Sequence, residues 1–125
     1  MQYGVLKSFP DADLNVLLVW IPMMSADTYE AAQKAAKKFK DKRVTQFYDP
    51  KQLAGRAFAK SLGHSDKVAW DIYMFYPCGV LWRDLPPPPE AFIHQLRDSW
   101  ADQSCLFEKE QLRTKLTETM KSLFQ

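Results

Sequence analysis

Three polar residues, Asp49, Arg56 and Asp71, form the set in this sequence that is best suited to chemistry. Two carboxylates near a guanidinium could support a hydrolytic or isomerising reaction, although neither carboxylate has a second acid at a recognisable catalytic spacing. Asp71 interrupts an apolar segment, where a buried carboxylate needs a partner. The structural alternative is that Asp49 caps a helix and that Asp71 pairs with Arg56 or with a backbone amide.

Two cysteines, Cys78 and Cys105, offer a second kind of chemistry. A single reactive thiol or a resolving pair is conceivable. Two thiols are too few for a disulfide framework, and their spacing matches no zinc-binding pattern. We therefore expect incidental thiols, with thiol chemistry at Cys78 as the alternative, and we expect no metal and no cofactor.

The two histidines are weaker candidates. His94 could act as a general base, but it is predicted to point about 150 degrees away from the apolar stripe of its helix. We therefore expect a surface histidine. His64 follows Gly63 in a loop and has no ligand partner nearby in the sequence, which argues against a metal site.

Positions 34–43 carry six of the 17 basic residues. Such a face could contact phosphates. It has no interleaved aromatic residues and no nucleic-acid motif, so we expect a solvated helix face. Lys and Arg total 17 against 15 Asp and Glu, and the net charge of +2 favours neither nucleic acid nor an anionic membrane.

The composition is that of one ordinary globular domain. The chain has 125 residues, of which 46% are hydrophobic and 26% charged, and this excludes a disordered tail, a collagen-like fibre and a disulfide-stapled mini-protein. The longest apolar run, 16–22, is far shorter than the roughly 20 residues of a membrane helix. The first residues do not form a signal peptide. We therefore expect a cytoplasmic protein without membrane contact, unless an export signal was removed.

The elements that must position these residues alternate between strands and helices. Asp27 with Glu30, or Ser25, is predicted to cap the first helix, and Gly63 to end the second. The predicted strands cover 14–21, 43–48, 70–76 and 80–82. The predicted helices cover 26–40, 51–62, 88–100 and, after this core, 105–124.

Right-handed crossovers would place the first strand between the second and the third. Asp49 and Asp71 would then lie at the same edge of the sheet, where open α/β sheets bind ligands. Ser25 and Thr28 lie at the start of the first helix, where a hydroxyl either caps the helix or holds a ligand. The candidate ligand-binding cleft consists of Met24, Ser25, Asp49, Arg56, Trp70 and Asp71.

Several short stretches are distinctive: Trp20-Ile21-Pro22, Gly55-Arg56, Ala69-Trp70-Asp71 and His94-Gln95-Leu96. Together with the proline run 86–89, they resemble a group of small bacterial thioredoxin-like proteins of uncharacterised function. The resemblance covers about residues 14–100. Like the order of the elements, it implies a thioredoxin-like α/β sandwich with a βαβαββα core and a mixed four-stranded sheet, and it implies little about chemistry. The predicted helix at about 105–124 lies outside the resemblance and is added to this core.

The redox motif of thioredoxins is missing. Their Cys-x-x-Cys lies where the first strand meets the first helix, because the helix N-terminus stabilises a thiolate. Residues 22–28 of this chain contain no thiol, and the loop 65–69 lacks the proline that accompanies such a site. Dithiol–disulfide exchange is therefore not expected.

These observations predict a single domain, 1–125, that acts as a redox-inactive module binding a protein or a small molecule. The alternative is an enzyme that uses Cys78, or Asp49 with Arg56 and Asp71. The last helix has an apolar side that needs a cover. It packs either on its own domain or against a second copy in a homodimer.

Overall fold

The computed structural model describes residues 3–96 and 100–124 and has the mixed α/β composition expected from the sequence. The helices are α1 (Tyr3–Lys7), α2 (Tyr29–Ala36), α3 (Leu53–Ser61) and α4 (Lys109–Phe124), with a 3-10 turn at Gln103–Cys105. The strands are β1 (Val16–Trp20), β2 (Val44–Tyr48), β3 (Ile72–Phe75) and β4 (Ala91–His94). No helix in the described ranges is long and apolar enough to cross a membrane.

The strands β1 and β2 form a parallel pair with α2 as the crossover between them. Val16 is paired with Val44 and Trp20 with Tyr48. The α2 helix covers the face on which these even-numbered side chains lie, and the Gln46 side chain donates a hydrogen bond to the carbonyl of Ala36 at 3.0 Å. The two strands and the helix between them are those predicted, although each is shorter than its predicted range.

The hydrophobic core lies around the other two strands, β3 and β4. There β3 and β4 form an antiparallel pair that runs from Ile72 opposite His94 to Phe75 opposite Ala91. Helices α1 and α4 pack against it. The buried cluster consists of Val5, Phe9, Ile93, Leu112, Leu116 and Met120.

The predicted helix over 88–100 is wrong, because residues 91–94 form β4. Residues 97–99 lie outside the described part of the chain. A short apolar run such as 91–93 fits a helix stripe or a strand equally well, and only a distant partner decides between them. Here β3 is that partner, and consequently the predicted strand at 80–82 is a loop.

The predicted four-stranded sheet is not confirmed. The described strands form two separate two-stranded sheets, and no ladder among them joins β1 to β3. The reason lies in β3, whose ladder is made with β4 and whose residues Tyr73 and Phe75 pack on the core with α1 and α4. The outer edge of β1 has no partner strand in the described residues.

The last helix begins later than predicted, at Lys109, after the 3-10 turn that contains Cys105. Its apolar residues Leu112, Leu116 and Met120 are 1%, 5% and 6% exposed, because they pack on their own domain. The apolar side of α4 is therefore covered within the chain itself.

Candidate functional site

A pocket of about 240 Å³ lies between α2 and the carboxyl ends of β1 and β2. Trp20, Ile21 and Pro22 line it where β1 ends, and Tyr48 lines it where β2 ends. Small side chains of α2 form the opposite wall: Ala31, Ala32 and Ala35. The lining is therefore mainly apolar and aromatic, which is typical of small-molecule and side-chain binding sites.

Aromatic contacts hold α2 against the sheet and thereby create this space. The ring of Tyr29 lies 5.1 Å from that of Tyr48, and the ring of Phe39, just beyond α2, lies 6.2 Å from that of Trp20. Between Tyr29 and Phe39 the helix presents alanines to the sheet, and their short side chains leave the gap unfilled. The Trp20 indole also donates to Gln46 Oε1 at 2.8 Å, which fixes the ring orientation.

Two polar residues of the β1–α2 loop complete the lining, Asp27 and Thr28. Thr28 is the N-cap of α2, and its hydroxyl oxygen accepts from the Ala31 N–H at 3.1 Å. Asp27 Oδ2 accepts from the amides of Met23 and Met24, and these two hydrogen bonds lower the pKa of Asp27. The predicted cap at Asp27 or Ser25 is therefore wrong, because Asp27 closes the loop instead, whereas the capping alternative given for Thr28 is confirmed.

The predicted cleft residues are dispersed around this pocket, and none of the six lines it. Met24 is 62% exposed, and Ser25 is exposed in the same loop. Asp49 is buried at the end of β2, where Oδ1 accepts from Leu53 N and Oδ2 from Gly55 N. The N-cap residue of α3 is Gln52, so the predicted N-cap at Asp49 is three residues early, but both Asp49 oxygens accept from N–H groups of the first turn of α3.

Asp71, Trp70 and Arg56 do not form a polar cluster in the structure. Asp71 is exposed, and the prediction that it is buried within a strand is wrong: it has φ +51° in the turn just before β3. Trp70 is half-buried and Arg56 is exposed on α3. No ion pair between Arg56 and Asp71 occurs in the part of the chain that the structure describes.

His94 is fully buried, so the prediction of a surface histidine is wrong. The Leu96 N–H donates to Nδ1 at 3.0 Å, so Nδ1 carries a lone pair and Nε2 donates to the Asp102 carbonyl at 2.7 Å. The error follows from the helix prediction, since the side chain direction in β4 differs from that in a helix. Both ring nitrogens are engaged, and His94 is structural. The ring of His64 lies 4.9 Å from that of Trp100.

The remaining chemical candidates lie apart from the pocket. Cys78 is exposed in the loop after β3, and Cys105 is half-buried in the 3-10 turn; both are free thiols. Across residues 3–96 and 100–124, no group of three His, Cys, Asp or Glu side chains could hold a metal ion. The lysines of α2 and the following loop are exposed, as expected of a solvated helix face.

Sequence reasoning did not assign the pocket's aromatic walls, Trp20 and Tyr48, to a site. The available signal was the alanine-rich stretch between Tyr29 and Phe39, which placed small side chains opposite aromatic ones. Comparison with protein-family models, with curated proteins and with solved structures found no match to this chain.

Proposed function

We propose that the protein is a non-catalytic binding module whose pocket, between α2 and the β1–β2 pair, holds an apolar group the size of one side chain. The pocket itself carries the proposal. Its volume of about 240 Å³ is below the roughly 300–1,000 Å³ of sites that enclose a drug-sized ligand. The occupant is then one side chain of a bound peptide, or a small molecule of similar bulk.

The polar groups around the pocket support binding rather than catalysis. Thr28, which lines the pocket, accepts from the first turn of α2, and Asp27, which also lines it, accepts two backbone amides through Oδ2. A general base or nucleophile must be able to reach the substrate. The Thr28 hydroxyl oxygen is engaged as the helix cap, and the part of the pocket lining that the structure describes contains no histidine, cysteine or lysine to work beside the Asp27 carboxylate.

Asp27 adds a preference for charge. Both of its backbone hydrogen bonds use Oδ2, and these bonds do not engage Oδ1. The carboxylate is ionised at neutral pH, and the two backbone hydrogen bonds lower its pKa further. A ligand that combines an apolar group with an ammonium or another N–H donor is therefore favoured over the same apolar group without one.

The absence of dithiol chemistry is part of the proposal. The β1–α2 loop contains Met23, Met24 and Ser25 but no thiol, and the two cysteines lie in other loops. An insulin-reduction assay with dithiothreitol as the electron donor is expected to show no acceleration by the protein. Acceleration that disappears in Cys78→Ser would instead establish the thiol alternative.

We further propose a thioredoxin-like fold for the first half of the chain. The parallel β1–β2 pair, its crossover helix α2 and the following α3 occur in the order that such a fold requires. The pocket also lies at the sheet edge where a thioredoxin carries its active site.

The binding proposal is tested by titrating ¹⁵N-labelled protein with N-acetyl-leucinamide and N-acetyl-phenylalaninamide. We expect saturable shifts of the Ala31, Ala32 and Tyr48 amides, with a Kd on the order of millimolar for so few atoms. Ala32→Leu fills the pocket and should abolish these shifts. Gln33→Leu adds the same side chain at the neighbouring exposed position and should preserve them. Absence of shifts, or equal shifts in both variants, would refute the proposal.

The charge preference is tested with leucinamide, which has a free ammonium group. We expect several-fold tighter binding than for N-acetyl-leucinamide at low salt. Asp27→Asn keeps an oxygen acceptor for the Met23 and Met24 amides but removes the charge, so it should equalise the two ligands. Equal affinities in the unsubstituted protein would show that Asp27 does not contribute.

A further inference from the structure

Gln52, which immediately precedes α3, has an unusual backbone conformation. Its φ is +59° and its ψ is 25°, in the left-handed region. A residue with a Cβ adopts this region at a cost in free energy, and glycine and asparagine tolerate it best. Strained residues of this kind persist where the surrounding contacts hold them, and they are concentrated at functional sites. The contacts of the Gln52 side chain therefore indicate what the strain serves.

Gln52 is the N-cap residue of α3, but its side chain does not cap the helix. An N-cap side chain normally accepts from an N–H of the first turn. At α3 the Asp49 carboxylate accepts from Leu53 N and Gly55 N instead, and the Gln52 side chain makes no capping hydrogen bond. The Gln52 side chain is therefore not needed for the start of α3 and is available for another contact.

That contact is with the β1–α2 loop, residues 21–28. Gln52 Nε2 donates to the Pro22 carbonyl at 2.8 Å and to Met23 Sδ at 3.3 Å. The amide nitrogen has two N–H groups, so it can serve both acceptors. Pro22 lines the pocket where β1 ends. The Gln52 side chain therefore holds a wall of the pocket from the α3 side.

The hydrogen bond to Pro22 continues the ladder between β1 and β2. The last backbone bond of this ladder runs from Asp49 N to the Trp20 carbonyl at 2.9 Å. In a parallel pair the next bond would run from the N–H two residues later, that of Lys51, to the Pro22 carbonyl. Residues 50 and 51 form a turn instead. The Gln52 side chain supplies the donor for Pro22 after the chain has left the strand.

Asp27 holds the next part of the same loop. Its Oδ2 accepts from Met23 N at 3.0 Å and from Met24 N at 2.8 Å. Gln52 thus binds the loop through a carbonyl, and Asp27 binds it through two amides. Pro22 and Asp27 both line the pocket. The position of this side of the pocket therefore depends on both hydrogen-bonding side chains, of which only Asp27 belongs to the lining.

We infer that Gln52 is a positioning residue of the pocket. Its left-handed backbone directs the side chain to the Pro22 carbonyl, and the resulting hydrogen bond holds the Pro22 wall in the place that ligand binding requires. The strain at Gln52 thus serves the pocket and not the start of α3. This inference rests on the proposed function and adds to it a residue outside the pocket lining.

The test uses Gln52→Gly and Gln52→Glu, titrated with N-acetyl-leucinamide. Both variants lack the amide donor, but glycine relieves the left-handed strain and glutamate retains it. We expect both to weaken binding by roughly threefold or more. In urea unfolding we expect a lower midpoint for Gln52→Glu only, because the strain that glycine relieves and the hydrogen bond that it loses are of similar size. A residue that contributed only to folding would not change the affinity of the folded protein.

Lys51→Gly is the matched control, because Lys51 is exposed in the same turn and this variant also introduces a glycine before α3. It should bind N-acetyl-leucinamide with unchanged affinity. Hydrogen exchange of the Met23 and Met24 amides is the second readout, since a looser loop exposes them to water more often. We expect several-fold faster exchange in both Gln52 variants and no change in Lys51→Gly.

Two outcomes separate the role of Gln52 from the proposed function. If the unsubstituted protein and both Gln52 variants bind N-acetyl-leucinamide equally well, the binding pocket stands and the inference is overturned. Unchanged hydrogen exchange of Met23 and Met24 in both variants would also overturn it. If the unsubstituted protein does not bind the ligand, the proposed function fails and the inference fails with it.

Discussion

Asp41 and Arg43 form a two-point ion pair immediately before β2. Arg43 Nη2 lies 2.6 Å from Asp41 Oδ2, and Arg43 Nε lies 3.0 Å from Asp41 Oδ1. The side chains are only 18–19% exposed. Two parallel N–H donors on one carboxylate fix the plane of the guanidinium. The pair therefore aims the rest of the guanidinium at the N-terminal segment.

In that orientation the guanidinium joins the N-terminal segment, which packs in the hydrophobic core, to the β1–β2 pair. It donates to the backbone carbonyls of Leu6, Phe9 and Ala12 at 3.1, 2.7 and 3.2 Å. Phe9 belongs to the hydrophobic core around β3 and β4, whereas Arg43 leads into β2. One side chain thus connects the core to the sheet that carries the pocket.

The first prediction concerns acid stability. The side-chain hydrogen bond from Arg43, followed by its backbone N–H bond, lowers the pKa of Asp41 from 3.8 to about 2. The folded state thus favours the ionised carboxylate, and this contribution is complete above pH 3.8 and is lost as the pH falls towards 2. Urea unfolding between pH 6 and pH 2 should show a steeper loss of stability for the unsubstituted protein than for Asp41→Asn.

The control for this experiment is Asp66→Asn, at an exposed loop position. It should follow the unsubstituted protein over the whole pH range. If Asp41→Asn also followed it, the ion pair would make no pH-dependent contribution to folding.

The second prediction concerns the shape of the Arg43 side chain. Arg43→Lys keeps the charge, but an ammonium group cannot reach three carbonyls and both carboxylate oxygens from one position. We expect a loss of about 2 kcal/mol in the free energy of unfolding, measured by chemical denaturation. Arg56→Lys, at an exposed position on α3, should cost less than about 0.5 kcal/mol. Equal effects of the two substitutions would contradict the joining role of Arg43.

The third prediction concerns His94. His94→Phe preserves a ring of similar size but leaves the buried Leu96 N–H without an acceptor, so we expect a loss of about 2 kcal/mol in thermal or denaturant unfolding. His94→Asn supplies an acceptor close to the position of Nδ1 and should cost less. His64→Phe retains a ring beside Trp100 and should be nearly neutral. A neutral His94→Phe would show that its hydrogen bonds do not stabilise the fold.

The fourth prediction concerns the contact of α3 with Ile21, the residue that follows β1. Replacing glycine by alanine inside a helix usually stabilises it by up to about 1 kcal/mol. At Gly55 the added Cβ would lie 2.5 Å from Ile21 Cδ1 and 2.7 Å from Val68 Cγ1. We therefore expect Gly55→Ala to destabilise the protein by about 2 kcal/mol. Ile21→Val removes Cδ1 and should recover part of this loss in the double variant, measured by a double-mutant cycle.

The sequence by itself determined the elements that depend on local signals. The helical spacing of apolar residues located α2 and α3, and the Asp49 carboxylate accepts from the first turn of α3, although the helix begins three residues later than predicted from this position. Gly63 has φ +90°, the left-handed conformation that glycine adopts most readily at a helix end. These features depend on neighbours within a few residues, which a sequence shows directly.

Only the tertiary structure decided the pairing of β3, the strand at 91–94 and the burial of His94. The segment Ala91–His94 is short enough to be a helix turn or a strand, and its hydrogen bonds come from β3, about 20 residues earlier. The pocket is equally non-local, since Trp20, Ala32 and Tyr48 meet only when α2 crosses the β1–β2 pair. Which distant segments come into contact depends on how much apolar surface each alternative packing buries. A local sequence pattern does not show how these packings differ.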